Sequence, residues 1–403
     1  MNDSEAVSGA RPAGTTIPPR GDGHVYDQIT RVLAGETAPL LATPAGTADR
    51  PLRIALIVPP FGFGSGGHAV LFGIAAALER LGHSVSTWLH DPFGFNADLL
   101  DGAIRQAIAD DYVALAGPAY RGFEHWNGAD VVLATGWQTV YPAMTLPRCR
   151  ARAYIVNDHE PEFYPTSLES HFAAQTYRLG LPCLLGGGGW LEQQLVDRYG
   201  VTVAGNFPYP VAPEFQPRPI ERRGDTIVLY GRNTTPRRAV GLALIALEEL
   251  VRRRPDTRVI MFGDPDTPET TFPYEHFGPI APEDLSWIYS EATVGLAFSM
   301  THGSLVPHDM MACGLPVLDI EGYGTGVEHA ETDLVELAAF DPFSVADGLE
   351  RLLDDSALRA RRSRDGLTHV AAHTWERSGA LVETALRGIL REREAATAAV
   401  EVR

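Results

Sequence analysis

Two series of short apolar strands alternating with helices constrain the fold of this 403-residue chain more than any other feature. The first series predicts strands at 53–58, 84–89, 131–134 and 153–156, with helices at 69–81 and 97–107. The second predicts strands at 226–230, 258–262, 294–299 and 317–320, with helices at 239–253, 284–290 and 307–313. Such alternation is typical of parallel sheets covered by helices on both faces. We therefore expect an α/β fold of two doubly wound, Rossmann-like domains that face a cleft.

Proline and helix patterns set the predicted domain boundaries. Five prolines fall between residues 206 and 219, so 207–219 is interpreted as a linker between an N-terminal domain (52–206) and a C-terminal domain (220–375). Residues 1–51 are rich in Gly, Pro, Ala and Thr and are predicted to be a partly disordered extension with one short helix at 25–33. A final helix is expected within 376–403.

The segment 292–322 carries the strongest local signal for ligand binding. It predicts a strand, a loop containing Gly303 and Ser304, a helix opening near Pro307 with Asp309 in its first turn, and a second strand. Backbone N–H groups at a helix start attract phosphate, and a carboxylate there can accept two sugar hydroxyls. A plain strand–helix–strand crossover is the alternative.

Composition excludes several classes of function. The net charge of −18 argues against nucleic acid or an anionic membrane as a partner, and no apolar run reaches the ~20 residues of a membrane span. No signal peptide is evident, and three widely spaced cysteines match no disulfide or metal pattern, so a cytoplasmic location is expected. All 33 basic residues are arginine, which excludes pyridoxal-phosphate Schiff bases, lysine-dependent aldolases and P-loop NTPases.

A glycine loop follows the first predicted strand and has two possible functions. Gly62, Gly64 and Gly67 form a G-x-G-x-x-G pattern, and Asp91 ends the next strand, which nearly matches a dinucleotide-binding fingerprint. The preceding prolines instead favour a loop that lets the sugar or diphosphate of a substrate approach the backbone closely. A glycine-rich connection without a ligand is the remaining alternative.

A second loop, YGRNTTPRRA at 230–239, opens the C-terminal domain. Arg232, Arg237 and Arg238 lie where a strand leads into a helix, on the expected cleft side. Three guanidinium groups at that place favour the neutralisation of a diphosphate over a solvated loop.

Several motifs in order resemble the GT-B glycosyltransferases. These are GRNTTPRR, Phe262-Gly263, FGPIAPEDLSWIYSEATVGLAFS and PHDMMACGLPVL. The resemblance is to the retaining family-4 type, which includes sucrose synthases and phosphatidylinositol mannosyltransferases. The segments SGGHAVLFGIAAALERLGH, YIVNDHEPEFYPTSLE and HGSLVPHDM look more specifically like bacterial rhamnosyltransferases that build S-layer and cell-surface glycans.

This resemblance implies roles for individual residues of the donor site. Arg232 and Arg238 match positions that bind the donor diphosphate, although the family usually carries lysine where Arg238 stands. Asp309 matches a glutamate that holds the ribose, while the family's other acid is missing because Thr301 occupies its position. The other residues implied to bind the donor are Gly66 and Gly67 of the sugar-covering loop, Gly263, Gly278, Pro279, Ile280, His302 and Ser304. The resemblance also implies that helix 376–397 packs back on the N-terminal domain.

A polar cluster after the strand at 153–156 is expected on the acceptor side of the cleft. The Asp-x-Glu-Pro element of the resembling family marks Asp158 and Glu160 as catalytic candidates, and His159, Tyr164 and His68 are acceptor-side candidates. Either carboxylate could be a base, an acceptor ligand or a structural cap on the next helix, and the stereochemistry of transfer stays open.

The sequence therefore predicts a glycosyltransferase that uses a nucleoside-diphosphate sugar. The resemblance favours dTDP-L-rhamnose as donor and a glycan or natural-product hydroxyl as acceptor. We expect no cofactor and no metal, because arginines and helix dipoles would neutralise the diphosphate. The alternatives are an NAD(P)- or FAD-dependent oxidoreductase that uses the glycine loop, and a non-catalytic nucleotide-sugar-binding protein.

Overall fold

The computed structural model describes residues 25–401, which form two α/β domains, each built on one fully parallel sheet. The first sheet has the strand order β3-β2-β1-β4-β5-β6-β7 and comprises β1 Arg53–Val58, β2 Ser84–Leu89, β3 Ala119–Arg121, β4 Ala129–Ala134, β5 Cys149–Val156, β6 Cys183–Gly186 and β7 Val203–Phe207. The second has the order β10-β9-β8-β11-β12-β13 and comprises β8 Thr226–Tyr230, β9 Arg258–Phe262, β10 Glu275–His276, β11 Val294–Leu296, β12 Val317–Ile320 and β13 Val335–Ala338. The predicted fold class is confirmed.

Helices cover both faces of each sheet, because alternate strand residues are apolar on opposite sides. In β1, Ile54, Leu56 and Val58 join one core, while Ala55 and Ile57 join the other. The helices are α1 Val25–Leu33, α2 Gly66–Arg80, α3 Asp101–Asp111, α4 Trp137–Thr145, α5 Leu168–Thr176, α6 Gly189–Tyr199, α7 Val240–Arg253, α8 Pro282–Glu291, α9 Leu305–Ala312, α10 Gly324–Glu328, α11 Pro342–Asp354, α12 Ser356–Val370 and α13 Trp375–Glu401. Among the residues described, no helix is both long and apolar enough to span a membrane.

Several helices, among them α2, α3 and α9, begin at residues other than those expected. Helix α9 begins at Leu305 because the Ser304 hydroxyl accepts a hydrogen bond from the Val306 N–H (3.1 Å), so Asp309 lies beyond its first turn. Helix α2 begins at Gly66, so Gly66 and Gly67 form its first turn rather than the preceding loop. Helix α3 begins four residues later than expected, because the Asp91 carboxylate accepts hydrogen bonds from two backbone N–H groups, at residues 95 and 96, and holds the chain in turns.

Both ends of the described chain pack on the first domain. Ile29 and Val32 of α1 lie against Trp137 and Tyr141 of α4, so this part of the predicted extension is ordered. Residues 1–24, to which the prediction of disorder also applied, lie outside the described residues. At the other end, α13 contacts α2 and β7, and its Trp375 ring covers Gly73 so closely that a Cβ there would lie 2.0 Å from it. The chain thus crosses back from the second domain to the first.

Candidate active site in the interdomain cleft

A cavity of about 800 Å³ lies between the carboxyl ends of the two sheets. Both domains contribute to its walls, as expected where parallel strands end at a switch point. Its lining includes Ser65, Gly66, Gly67, Asn157, Asp158 and Phe163 from the first domain, and Tyr230, Arg232, Arg237, Arg238, Gly303, Ser304, Leu305 and Val306 from the second.

The start of helix α9 forms one wall of this cavity. Residues 303–306 line it, and the first-turn N–H groups of a helix lack intrahelical acceptors. Leu305 also contacts the first domain, since a Cβ at Gly66 would lie 3.1 Å from the Leu305 side chain. The cleft therefore presents a helix N-terminus, with its partial positive charge, beside the glycine turn.

Arginines line the opposite wall of the second domain. A 3₁₀ turn, Pro236–Arg238, places two of them before α7, and Ala239 then adopts the left-handed conformation (φ 45°). Arg238 donates from Nη1 to Ser299 Oγ (2.9 Å), and its Nε is buried without a partner. Arg232 donates to the Gly64 carbonyl oxygen across the cleft (2.9 Å). The arrangement suits a doubly charged phosphate group.

Asp158 connects the two domains. Its Oδ1 accepts the backbone N–H groups of His159 (2.8 Å) and His302 (3.1 Å). Its Oδ2 accepts the hydroxyl of Thr301 (3.0 Å) and lies 3.4 Å from Nε of Arg237. Both oxygens are thus used, and the carboxylate occupies the space beside the residue that replaces the family's missing acid.

Glu160 acts as a buried helix cap in this structure. Its Oε2 accepts the Trp137 N–H at the start of α4 (2.7 Å), and its Oε1 accepts the Tyr154 hydroxyl. Only 6% of Glu160 is exposed, and burial raises the pKa of its carboxyl to about 7. Glu160 therefore caps the preceding helix α4, and not the next helix, whose cap is the Ser167 hydroxyl.

The acceptor-side candidates separate into two groups. His68 lines a second cavity of about 1300 Å³, where burial lowers its pKa to about 4. The His159 ring instead turns into the first domain, where it contacts Tyr199 and Glu162, which corrects its placement on the acceptor side. The hydroxyl of Tyr164 accepts the indole N–H of Trp137 (3.0 Å), so this side chain supports α4.

His302 was expected to contact the donor, and its side chain lies elsewhere. It is 0% exposed, its Nε2 is 2.8 Å from the Gly186 carbonyl oxygen, and its ring stacks on Trp190. The ring therefore packs in the first domain, because Gly187 leaves room that a Cβ would fill. Only the His302 backbone takes part in the cleft, through Asp158. Ser304, by contrast, lines the cavity.

The remaining donor candidates do not line the 800 Å³ cavity. Asp309 is partly exposed, its carboxylate has no hydrogen bond among the described residues, and burial raises its pKa well above the usual range. Gly263 and Gly278 have positive φ angles (107° and 61°) and are joined by a backbone hydrogen bond of 2.8 Å. Pro279 and Ile280 continue that turn toward α8. These residues form the far side of the second domain's switch point.

The oxidoreductase alternative finds no support in the glycine loop. Its acidic residue, Asp91, already binds the Arg121 guanidinium (2.9 Å) in addition to two backbone N–H groups. The carboxylate is thus unavailable to a ribose, and Gly62 and Gly64 lie in an exposed turn.

Sequence reasoning missed the interdomain contacts of Arg237 and the presence of Asp319 near the cleft. Arg237 was grouped with its neighbours, but its ion pair with Asp158 and its position over the Phe163 ring (4.2 Å) depend on the other domain. Asp319 is the penultimate residue of β12 and is buried near Arg238, and burial raises its pKa to about 7. Its place at a strand's carboxyl end was the signal that could have revealed it.

The chain is similar in sequence to one family model and to several curated proteins. Residues 225–350 match the family model described as WsaF, C-terminal domain. The chain is 32% identical over 269 residues to the O-antigen biosynthesis protein RfbC of Myxococcus xanthus, which covers 65% of this chain and 21% of that protein. It is 30% identical over 162 residues to a D-inositol 3-phosphate glycosyltransferase of Corynebacterium diphtheriae, and the match covers 35% of this chain and 37% of that protein. The chain thus spans well under half the length of these relatives.

Solved structures resemble the chain over almost all of their own length. WaaG, a glycosyltransferase involved in lipopolysaccharide biosynthesis, aligns with a TM-score of 0.59 and 16% identity over 83% of this chain and 99% of that one. Anabaena Alr3699/HepE in complex with UDP and glucose aligns with a TM-score of 0.60 and 12% identity over 86% of this chain and 100% of that one. Two parallel-sheet domains that face a cleft, together with these likenesses, show that the chain has the GT-B fold.

Proposed function

We propose that this protein is a glycosyltransferase that transfers a sugar from a nucleoside-diphosphate sugar to a hydroxyl of a glycan or natural-product acceptor. The observation that carries the proposal is the meeting of Arg232, Arg238 and the α9 N-terminus in one cavity. These groups would bind the diphosphate and stabilise the charge that grows on it as the glycosidic bond breaks. The named activity of the D-inositol 3-phosphate glycosyltransferase relative supports the same class of reaction.

The donor would extend from this cavity across the second domain. The diphosphate would lie against Arg232, Arg238 and the Gly303–Val306 backbone, while Asp309 would accept ribose hydroxyls. The transferred sugar would then face Gly66, Gly67 and Asp158. The sequence resemblance favours L-rhamnose on dTDP, and the UDP complex of a structural relative makes UDP the alternative nucleotide to test.

The acceptor would enter through the neighbouring cavity of about 1300 Å³ in the first domain. Its walls include His68, Trp137 and the exposed rings of Phe93 and Phe95. Exposed aromatic rings beside a cleft are uncommon unless they contact a ligand, and they offer flat apolar surfaces to an acceptor.

We propose that transfer proceeds with retention of anomeric configuration. Inversion needs a free base on the acceptor side, yet Asp158 is occupied by two backbone N–H groups, Thr301 and Arg237. His68 lines the acceptor cavity, but burial lowers its pKa to about 4, which makes its ring a weak base. Glu160 is occupied by Trp137 and Tyr154. A leaving phosphate oxygen can instead take the acceptor proton on the same face, which requires no protein base.

The transfer step would need neither a cofactor nor a metal at the diphosphate. The guanidinium groups and the helix N-terminus supply the positive charge that a divalent cation would otherwise provide. Added Mg²⁺ is therefore expected to leave the rate unchanged.

Catalysis would take place in the cytoplasm, where the three buried free cysteines stay reduced.

A direct assay tests the proposal. The purified chain is incubated with dTDP-L-rhamnose or UDP-sugars, and release of the nucleoside diphosphate is followed with and without acceptor mixtures. Wild type and Arg252→Ala, an exposed arginine of α7 paired with Glu249, should release nucleotide, and Arg238→Ala should not. NMR of the product reports its anomeric configuration. Donor binding without turnover under all conditions would instead support the non-catalytic alternative, which Thr301 at the missing-acid position favours.

A further inference from the structure

Four histidines that are far apart in sequence lie close together beside helix α9. His308 lies within α9, His329 directly follows α10, and His369 and His373 lie at the end of α12 and just after it. Ring centroids are 4.9 Å apart for His369 and His373, 5.1 Å for His308 and His373, and 5.4 Å for His329 and His369. All four line one cavity of about 690 Å³.

The ring nitrogens of this histidine cluster are arranged as metal ligands usually are. Nδ1 of His308 faces the Ser304 carbonyl oxygen (3.4 Å), and Nδ1 of His329 faces the Thr332 hydroxyl (3.3 Å). Such contacts fix the ring and leave its other nitrogen for an ion. Within the described part of the chain, Nε2 of His329 and Nδ1 of His373 are buried and have no hydrogen bond. His329 as a whole is only 4% exposed.

Ring packing alone does not account for these nitrogens. Buried polar atoms are normally paired, and each one left without a partner costs free energy.

We propose that His308, His369 and His373 bind a divalent transition-metal ion, with Zn²⁺ as the species. One nitrogen from each ring already lies within 4.8 Å of the others. Tetrahedral Zn–N bonds of about 2.05 Å require nitrogen separations of about 3.3 Å, so small side-chain rotations close the site. The H-x-x-x-H spacing of His369 and His373 falls within the range common in zinc sites. His329 or water fills the fourth position.

The ion would have a positioning role outside the chemistry of transfer. His308 lies four residues after Ser304, whose backbone lines the donor cavity. His373 lies two residues before α13, which packs on the first domain. Zinc would therefore fix the phosphate-binding helix relative to the segment that crosses between the domains.

The test uses the full chain without a polyhistidine tag, treated with EDTA, desalted, and dialysed against Zn²⁺ alone. We expect one zinc per chain in wild type and in His171→Ala, a control at an exposed histidine of α5, and less than a tenth of that in His369→Ala/His373→Ala. Zinc contents that do not differ between this double variant and the wild type would overturn the proposal.

A measurement on the wild type alone guards against a variant that fails to fold. Co²⁺ bound by three imidazoles should give visible absorption bands that one equivalent of Zn²⁺ removes. Absence of these bands at saturating Co²⁺ would overturn the assignment. Because both readouts are metal binding, their result is independent of whether the glycosyltransferase proposal holds.

Discussion

Replacement of Arg238 by alanine tests the diphosphate site most directly. The guanidinium lines the cleft, its Nη1 donates to Ser299, and its Nε has no hydrogen-bond partner among the residues that the structure describes. A unit charge about 4 Å from a phosphate contributes roughly 4 kcal/mol at an effective dielectric constant of about 20. Removal of one preorganised donor elsewhere costs about 2.7–4 kcal/mol in transition-state stabilisation.

We expect the lower end of that range, because Arg232 shares the charge while Arg237 is engaged by Asp158. Arg238→Ala should therefore lower kcat about 100-fold, with a smaller change in the affinity for donor. Arg238→Lys should keep most of the activity, since lysine retains the positive charge. The part that is lost reflects the planar, two-pronged guanidinium, which lysine lacks.

The assay measures kcat and KM for nucleotide release, alongside the dissociation constant of dTDP or UDP. Arg252→Ala is the matched control, because it removes an arginine of the same domain at a site remote from the cleft. The lost bond to Ser299 should cost only about 1 kcal/mol of folding stability, so the variant should fold. An Arg238→Ala variant that transfers sugar at the wild-type rate would refute this placement of the diphosphate.

Three further predictions follow from the carboxylates. Burial raises the folded-state pKa of Glu160 to about 7, so its contribution to stability is present below the unfolded pKa near 4.5 and is lost as pH rises to 7. The unfolding free energy of wild type relative to Glu160→Gln should therefore fall by at most about 3 kcal/mol over that pH range. A difference that does not change with pH would contradict this prediction. Asp309→Ala should weaken donor binding by roughly 1.5–3 kcal/mol in calorimetry, and unchanged donor binding would exclude the ribose role. The same variant should raise the melting temperature of the free protein, because it removes a carboxylate that has no hydrogen bond among the described residues. Asp158→Asn should lower the free energy of unfolding by roughly 1.5–3 kcal/mol and should also lower kcat, because an amide N–H₂ would face the His302 N–H or Arg237. A variant with wild-type denaturation and rate would exclude Asp158 as the link between the domains.

Local patterns in the sequence were sufficient for the fold class, although they did not predict five of the thirteen strands, β3, β6, β7, β10 and β13. The bounds predicted for β1, β2, β8, β9 and β12 agree with those observed, because a buried parallel strand needs a continuous apolar run that nearby residues alone define. The position of helix starts was less certain from sequence, since capping depends on single hydrogen bonds such as that of Ser304.

Side-chain direction in the cleft was decided by tertiary structure. His302 has the position of a donor contact in the sequence, yet its ring enters the first domain because Gly187, more than 100 residues away, leaves space for it. Asp158 likewise reaches Thr301 only through the docking of one domain on the other. No local pattern encodes such contacts, because they depend on how two separately folded cores meet.

The sequence by itself determined two parallel α/β domains, the placement of arginines and a helix start at strand ends, and the absence of lysine chemistry. Tertiary structure decided which polar groups are free and which are already bound, as the capped helix at Glu160 shows. It also brought His308, His369 and His373 together from 66 residues of sequence. The physical reason is that secondary structure follows from short-range periodicity, whereas a site depends on long-range packing that aligns groups from separate elements.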